Sequence, residues 1–252
     1  MRPLMPSLIA LFCLALGGHA LAGAQADSVT LKPSPPLMKD ADALPRLLSG
    51  APPAVVKTIN ATLAQVDAQA LRDAKDCLRA KGSDYGRGVS ATMQGSGFLS
   101  LVVNQSFSCA GAAHPDSETQ ALVFDLTTGK FVDWEKLLPG AVQIKKIDAD
   151  LEKKFPFHAT VASDAIWALY KKEALKETSD PDCADAFDDK LDFVLSLDAG
   201  KNALAVDEVG LRHAVEACGI TLYLSGDALK SLGAGKELID ALDAAHRRPG
   251  GG

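Results

Sequence analysis

Five cysteines punctuate the chain, and their spacing limits the sulfur chemistry open to it. Cys13 lies in an apolar leader, and Cys77, Cys109, Cys183 and Cys218 follow it. No CxxC pair and no zinc-type spacing joins them, which argues against dithiol redox catalysis and against a metal site. In an oxidising compartment four cysteines form two disulfides, with three connectivities open. Chain order suggests Cys77 with Cys109 and Cys183 with Cys218, one bridge in each half. Closing a loop of about 33 residues is worth roughly 3 to 4 kcal/mol by chain entropy.

The titratable groups come next. His114 stands in Gly111-Ala112-Ala113-His114-Pro115, just before Asp116. An imidazole there has the chemistry to bind a metal or carry a proton, but a histidine followed by proline more often orders a loop through its ring nitrogens. His158, His213 and His246 are far apart and show no HExxH or HxH spacing. Asp180, Asp182, Asp185, Asp188 and Asp189 crowd around Cys183 and invite comparison with a calcium loop. Ala184 at the third ligand position and Asp185 in place of the invariant glycine break that pattern, so a solvated acidic loop is expected. Such a loop suits a cationic partner, since charge complementarity speeds encounter and sets specificity. The candidate binding residues are therefore His114, Asp116, Asp182, Asp185, Asp188 and Asp189.

Nucleophile and phosphate signatures are missing. No G-x-S-x-G elbow occurs, and Ser96 sits between two glycines in a turn. Gly86-Arg87-Gly88-Val89-Ser90-Ala91 has dinucleotide-loop glycines, but no apolar strand precedes it and no helix follows. Phe131 after Gly129-Lys130 rules out a phosphate loop. The expectation is a protein that is not an enzyme, with no catalytic or metal-binding residues and no cofactor.

The elements that must hold these residues follow from patterning. The 252 residues are 47% hydrophobic and 23% charged, with a net charge of −6. That balance is globular, and it disfavours nucleic acid or an anionic membrane surface as the main partner. Arg2, the apolar run from Leu8 to Leu16, and the small residues around Ala20-Leu21-Ala22 or Ala24-Gln25-Ala26 read as a secretory signal over 1–26. A periplasmic or secreted location follows, with no membrane span in the mature chain.

Residues 27–50, with Pro33, Pro35 and Pro36, read as an extended arm. An N-terminal α+β half over 51–140 opens with a long helix. Val55, Ile59, Leu63, Val66, Ala70, Ala74 and Cys77 form its buried stripe. Strands are expected from Val89 to Gln94, Phe98 to Ser108 and Thr119 to Leu126, with a turn at Gly95-Ser96-Gly97 and an Asp133 helix cap. A C-terminal α+β half over 141–246 starts with two helices. The first carries Ile144, Ile147, Leu151 and Phe155, and the second is capped by Ser163. Strands at 191–197, 203–206 and 220–224 follow, then short helices from Asp227 and Glu237, and a flexible tail over 247–252. The expected class is α+β, with antiparallel sheet packed by helices and two disulfides.

Gly111-Ala112-Ala113-His114-Pro115, Val123-Phe124-Asp125-Leu126, Thr128-Gly129-Lys130 and Trp134-Glu135-Lys136-Leu137-Leu138 resemble a bacterial extracytoplasmic family signature. The signature is G-G-A-H-P … F-D-L-x-T-G-K … L-x-D-L-F, and the family is a domain of unknown function. It includes the ectodomain of the lysozyme-sensing anti-sigma-V factor, and related domains precede the catalytic domain of some peptidoglycan deacetylases. Ala112 stands where a second glycine is usual. The resemblance implies binding rather than chemistry, with lysozyme-class cell-wall hydrolases as the leading partner and loops 110–118 and 178–190 as the presented surface. Neither an anti-sigma segment before the leader nor a carbohydrate-deacetylase domain with His and Asp metal ligands is expected. The alternatives are a module binding peptidoglycan or glycan fragments and an uncharacterised cell-envelope hydrolase.

Overall fold

The computed structural model describes residues 29–145, 160–178, 182–211 and 213–248. Helix α1 (Pro53–Cys77) begins with proline at its first position, where a missing N–H costs nothing. Its inward stripe is Val55, Ile59, Leu63, Val66, Ala70 and Ala74, as the spacing predicts. Cys77 is half-buried at its end.

Beneath α1 lies an antiparallel sheet of β3 (Asp84–Gly95), β4 (Phe98–Ser108) and β5 (Asp116–Asp125). Gly95 pairs with Phe98 across a two-residue turn whose residues, Ser96 and Gly97, both have positive φ (54° and 96°). That is the backbone a tight primed hairpin turn demands. Alternation divides the sheet. Leu99, Leu101, Val103, Leu122 and Phe124 pack against α1, whereas Met93, Phe98 and Val123 enter the core of the C-terminal half.

A β-bulge between Ala91 and Met93 sets this division. It leaves Thr92 out of register and available to the second sheet, which has the order β10-β9-β8-β7-β6. Its strands are β6 (Gln143–Ile144), β7 (Val161–Ala162), β8 (Asp192–Asp198), β9 (Ala203–Val209) and β10 (Thr221–Leu224). Strand β8 pairs with β7 only at Phe193. Farther along, Ala199 N donates to Thr92 O at 2.8 Å and Leu197 N to Ser100 Oγ at 3.1 Å. The edge groups of one sheet are thus satisfied by the other.

Helix α2 (Trp134–Leu137) is capped by Asp133, and α3 (Asp164–Glu177) by Ser163, whose Oγ accepts from Ile166 N at 3.1 Å. Trp167 and Tyr170 of α3 pack with Phe187 and Phe193. Helices α4 (Asp182–Ala186), α5 (Gly226–Ser231) and α6 (Lys236–His246), with a 3-10 turn at His213–Cys218, complete this half. The class is α+β, and the bridges are Cys77–Cys109 and Cys183–Cys218.

Four expectations are corrected. The 27–50 arm is a paired element: β1 (Thr30–Lys32) and β2 (Arg46–Ser49) form a two-stranded sheet, and Val29, Leu44 and Leu47 are buried with α1. The Asn60 side chain holds β2 by bonding both Leu47 N and Leu47 O at 2.8 Å. Such pairing is invisible to a search for alternation interrupted by proline.

Strand β3 starts at Asp84, so Gly86 and Gly88 are strand residues rather than a loop. A Cβ at Gly86 would stand 2.9 Å from Ser106 Oγ, so a larger residue there requires the serine hydroxyl to turn away. Ile144 is in β6 and not on a helical stripe, while Ile147, Leu151 and Phe155 lie outside the described residues. Arg247 and Arg248 belong to the folded body: Arg248 Nη2 donates to Ser96 Oγ at 2.6 Å. The leader at 1–26 and residues 249–252 lie outside the described residues.

Candidate functional site

The turn between β4 and β5 is anchored twice where it leaves β4. The Cys77–Cys109 bridge fastens it to α1 with a Cα separation of 4.8 Å, and Ser83 Oγ accepts from Ala110 N at 2.9 Å. Gly111 has φ of +93°, which lets the chain reverse. His114 is exposed, and its Nδ1 lies 2.9 Å from the Pro115 carbonyl oxygen. That geometry orders a loop. Asp116 follows, its carboxylate accepting from Ser117 N at 2.9 Å.

From here β5 runs over the C-terminal half. The Ser117 hydroxyl donates to Glu216 in the 3-10 turn, and Cys218 of that turn is bridged to Cys183 of α4. Between the strands lies a groove of about 320 Å3. Asp116 and Glu118 line it from β5, Glu208 from β9 and Glu216 from the 3-10 turn. Phe107 and Leu211 supply apolar wall. Among the described residues all its charged side chains are carboxylates.

Burial pushes the Glu208 carboxyl above its ordinary range, and the Tyr170 hydroxyl hydrogen bond offsets part of that effect. The phenol lies 2.9 Å from Glu208 Oε2 and 3.0 Å from Ile220 O, and it accepts from Ile220 N at 2.8 Å. Burial likewise raises the neighbouring Asp207, against a hydrogen bond from Thr221 Oγ1 at 2.6 Å. Like-charge proximity and desolvation together make the groove a place where a cation is welcome.

The sequence-derived candidates divide. Asp116 lines the groove, and His114 sits on the turn leading into it. Asp185, Asp188 and Asp189 are exposed on and just after α4 and do not line it, although the Cys183–Cys218 bridge ties their segment to the turn carrying Glu216. Asp182 opens α4, so the acidic stretch is partly helical rather than all loop. The residues missed were Glu118, Glu208 and Glu216. Asp116 and Glu118 share one face of β5 by strand alternation, which was a usable signal, but nothing local places Glu216 against Ser117, 99 residues away.

Among the described residues no group of three or more His, Cys, Asp or Glu side chains is arranged to hold a metal ion. No described helix is long and apolar enough to cross a membrane. Two disulfides fit an oxidising, extracellular setting. No protein-family model and no curated protein matches the chain.

Proposed function

We propose that this is a non-catalytic extracytoplasmic binding protein whose acidic groove receives a basic cell-wall hydrolase of the lysozyme class. One observation carries the reading: carboxylates from β5, β9 and the 3-10 turn converge on a single groove between disulfide-held elements. A rigid scaffold loses little entropy when it docks, and a field of one sign steers a partner of the opposite sign. The resemblance around His114 points to the same partner class.

The test is biolayer interferometry of the oxidised protein against immobilised lysozymes and a basic control protein at two salt concentrations. Selective submicromolar binding that survives moderate salt supports the reading. In that case Asp116→Asn combined with Glu216→Gln slows association about tenfold, as loss of steering charge does. No binding, or binding equal to the control that vanishes with salt, defeats it. Retention on insoluble peptidoglycan in a pull-down then favours the glycan-fragment alternative.

A further inference from the structure

Arg87 projects from β3 toward α1 and is only 4% exposed. Its Nη1 donates to the Asp42 carbonyl oxygen and to Asp67 Oδ1, the latter at 3.2 Å. Nε and Nη2, the two donors along one edge of the guanidinium, are buried with no partner among the described residues. That edge is a fork matching the two oxygens of a carboxylate. Asp67 does not neutralise the site alone, because its Oδ2 also takes Arg46 Nη2 at 2.7 Å. Two guanidinium groups therefore share one carboxylate, and the Arg87 edge turned away from Asp67 keeps unmet hydrogen-bonding capacity where burial makes that costly.

Arg87 lines a cleft of about 230 Å3 between α1 and the three-stranded sheet. The volume is below the roughly 300 to 1,000 Å3 of drug-sized pockets, so the cleft suits a ligand of few atoms. Buried Gln120 lies with Arg87 on the sheet side, and exposed Asp73 of α1 lines the same cleft. Gln105 stands directly across from Arg87, and its Oε1 accepts from the Tyr85 hydroxyl two residues along β3. Tyr85 and Gln105 both line the cleft, and because the fork is buried a ligand reaches it only as lining side chains move.

We propose that this cleft binds a small zwitterion, an amino acid or short peptide, with its carboxylate held side-on by Arg87 Nε and Nη2 and its ammonium facing Asp73. Two adjacent unpartnered donors match the two oxygens of one carboxylate, and the Asp73 and Glu118 carboxylates of the cleft disfavour a second negative charge on the ligand. The cleft adjoins the acidic groove, with Phe107 and Glu118 lining both, yet it has its own chemistry and its binding does not depend on the hydrolase reading.

The test is NMR titration of the oxidised protein, following the Arg87 Nε–H resonance and the Tyr85 and Gln105 amides. The probes are glycylglycine, glycine, acetate, sulfate and glycinamide. Saturable shifts are expected for glycylglycine or glycine with Kd on the order of 1 mM. Acetate binds about tenfold more weakly, and sulfate and glycinamide give no saturation. Arg87→Lys removes the saturable shifts because an ammonium has no planar fork. Asp73→Asn, an exposed change that leaves the fold alone, brings glycine down to the level of acetate. No saturation by either zwitterion up to about 50 mM, or equal shifts from sulfate and glycinamide, overturns the proposal.

Discussion

Asp67 supplies one carboxylate to three donors: Leu44 N at 3.0 Å, Arg46 Nη2 at 2.7 Å and Arg87 Nη1 at 3.2 Å. It is the residue that joins arm, helix and sheet. Asp67→Asn keeps the shape but leaves two guanidinium groups without a counter-charge, one of them buried, and should cost about 3 to 5 kcal/mol in urea denaturation. Arg46→Ala should cost less, because its side chain is 31% exposed and partly solvated already.

Glu208 makes the second residue-scale case. Burial raises its folded-state pKa above its ordinary 4.5, with the Asp207 and Glu216 charges pushing the same way and the Tyr170 hydroxyl pulling back. The folded protein then holds a proton that the unfolded chain releases, so the Glu208 contribution to stability is fullest below about 4.5 and is lost as pH rises through the raised value. Glu208→Gln should flatten that fall in denaturation curves taken just above pH 4.5, while Asp207, raised by burial too, keeps a residual slope. Tyr170→Phe, which strips the partner from Ile220 N, should cost about 1 to 3 kcal/mol.

Among the elements, the junction between β8 and the bulge in β3 is the most exposed to test. Ser100 Oγ accepts from Leu197 N at 3.1 Å and from Thr92 Oγ1 at 2.9 Å, and Ser100 is fully buried. Ser100→Ala orphans the Leu197 N–H at the end of β8 and should cost about 1 to 3 kcal/mol. It should also accelerate hydrogen exchange at Leu197, and at Ala199 just past the strand, ahead of the rest of β8. The Cys77–Cys109 bridge acts on a different element, the last turn of α1. Cys77→Ser with Cys109→Ser should lower stability by about 3 kcal/mol and loosen the turn before His114.

At the scale of the molecule the two halves share one core. Met93, Phe98 and Val123 of the N-terminal sheet cluster with Leu195, Leu197 and Leu204 of the C-terminal one. Trp134 and Trp167, one from each half, are both in that cluster. Unfolding should therefore be a single cooperative transition, with tryptophan fluorescence and far-UV circular dichroism coinciding. Two separated transitions would mean that the halves at 51–140 and 141–246 are independent domains.

Local signals carried a large part of this architecture. The apolar stripe of α1, the Asp133 and Ser163 caps, the turn at Gly95-Ser96-Gly97 and the order of the cysteine pairs were all legible, because each depends on residues close in sequence or on a count of few alternatives. Alternation also revealed which residues of a strand share a face. It did not reveal what that face meets. The Arg87–Asp67 pair spans 20 residues, the Ser100–Leu197 contact 97 and the Ser117–Glu216 contact 99. Charge and hydrogen-bonding capacity are written in the residue type, but their partners are chosen by packing of distant faces. The acidic groove and the guanidinium cleft therefore exist only once the chain has folded.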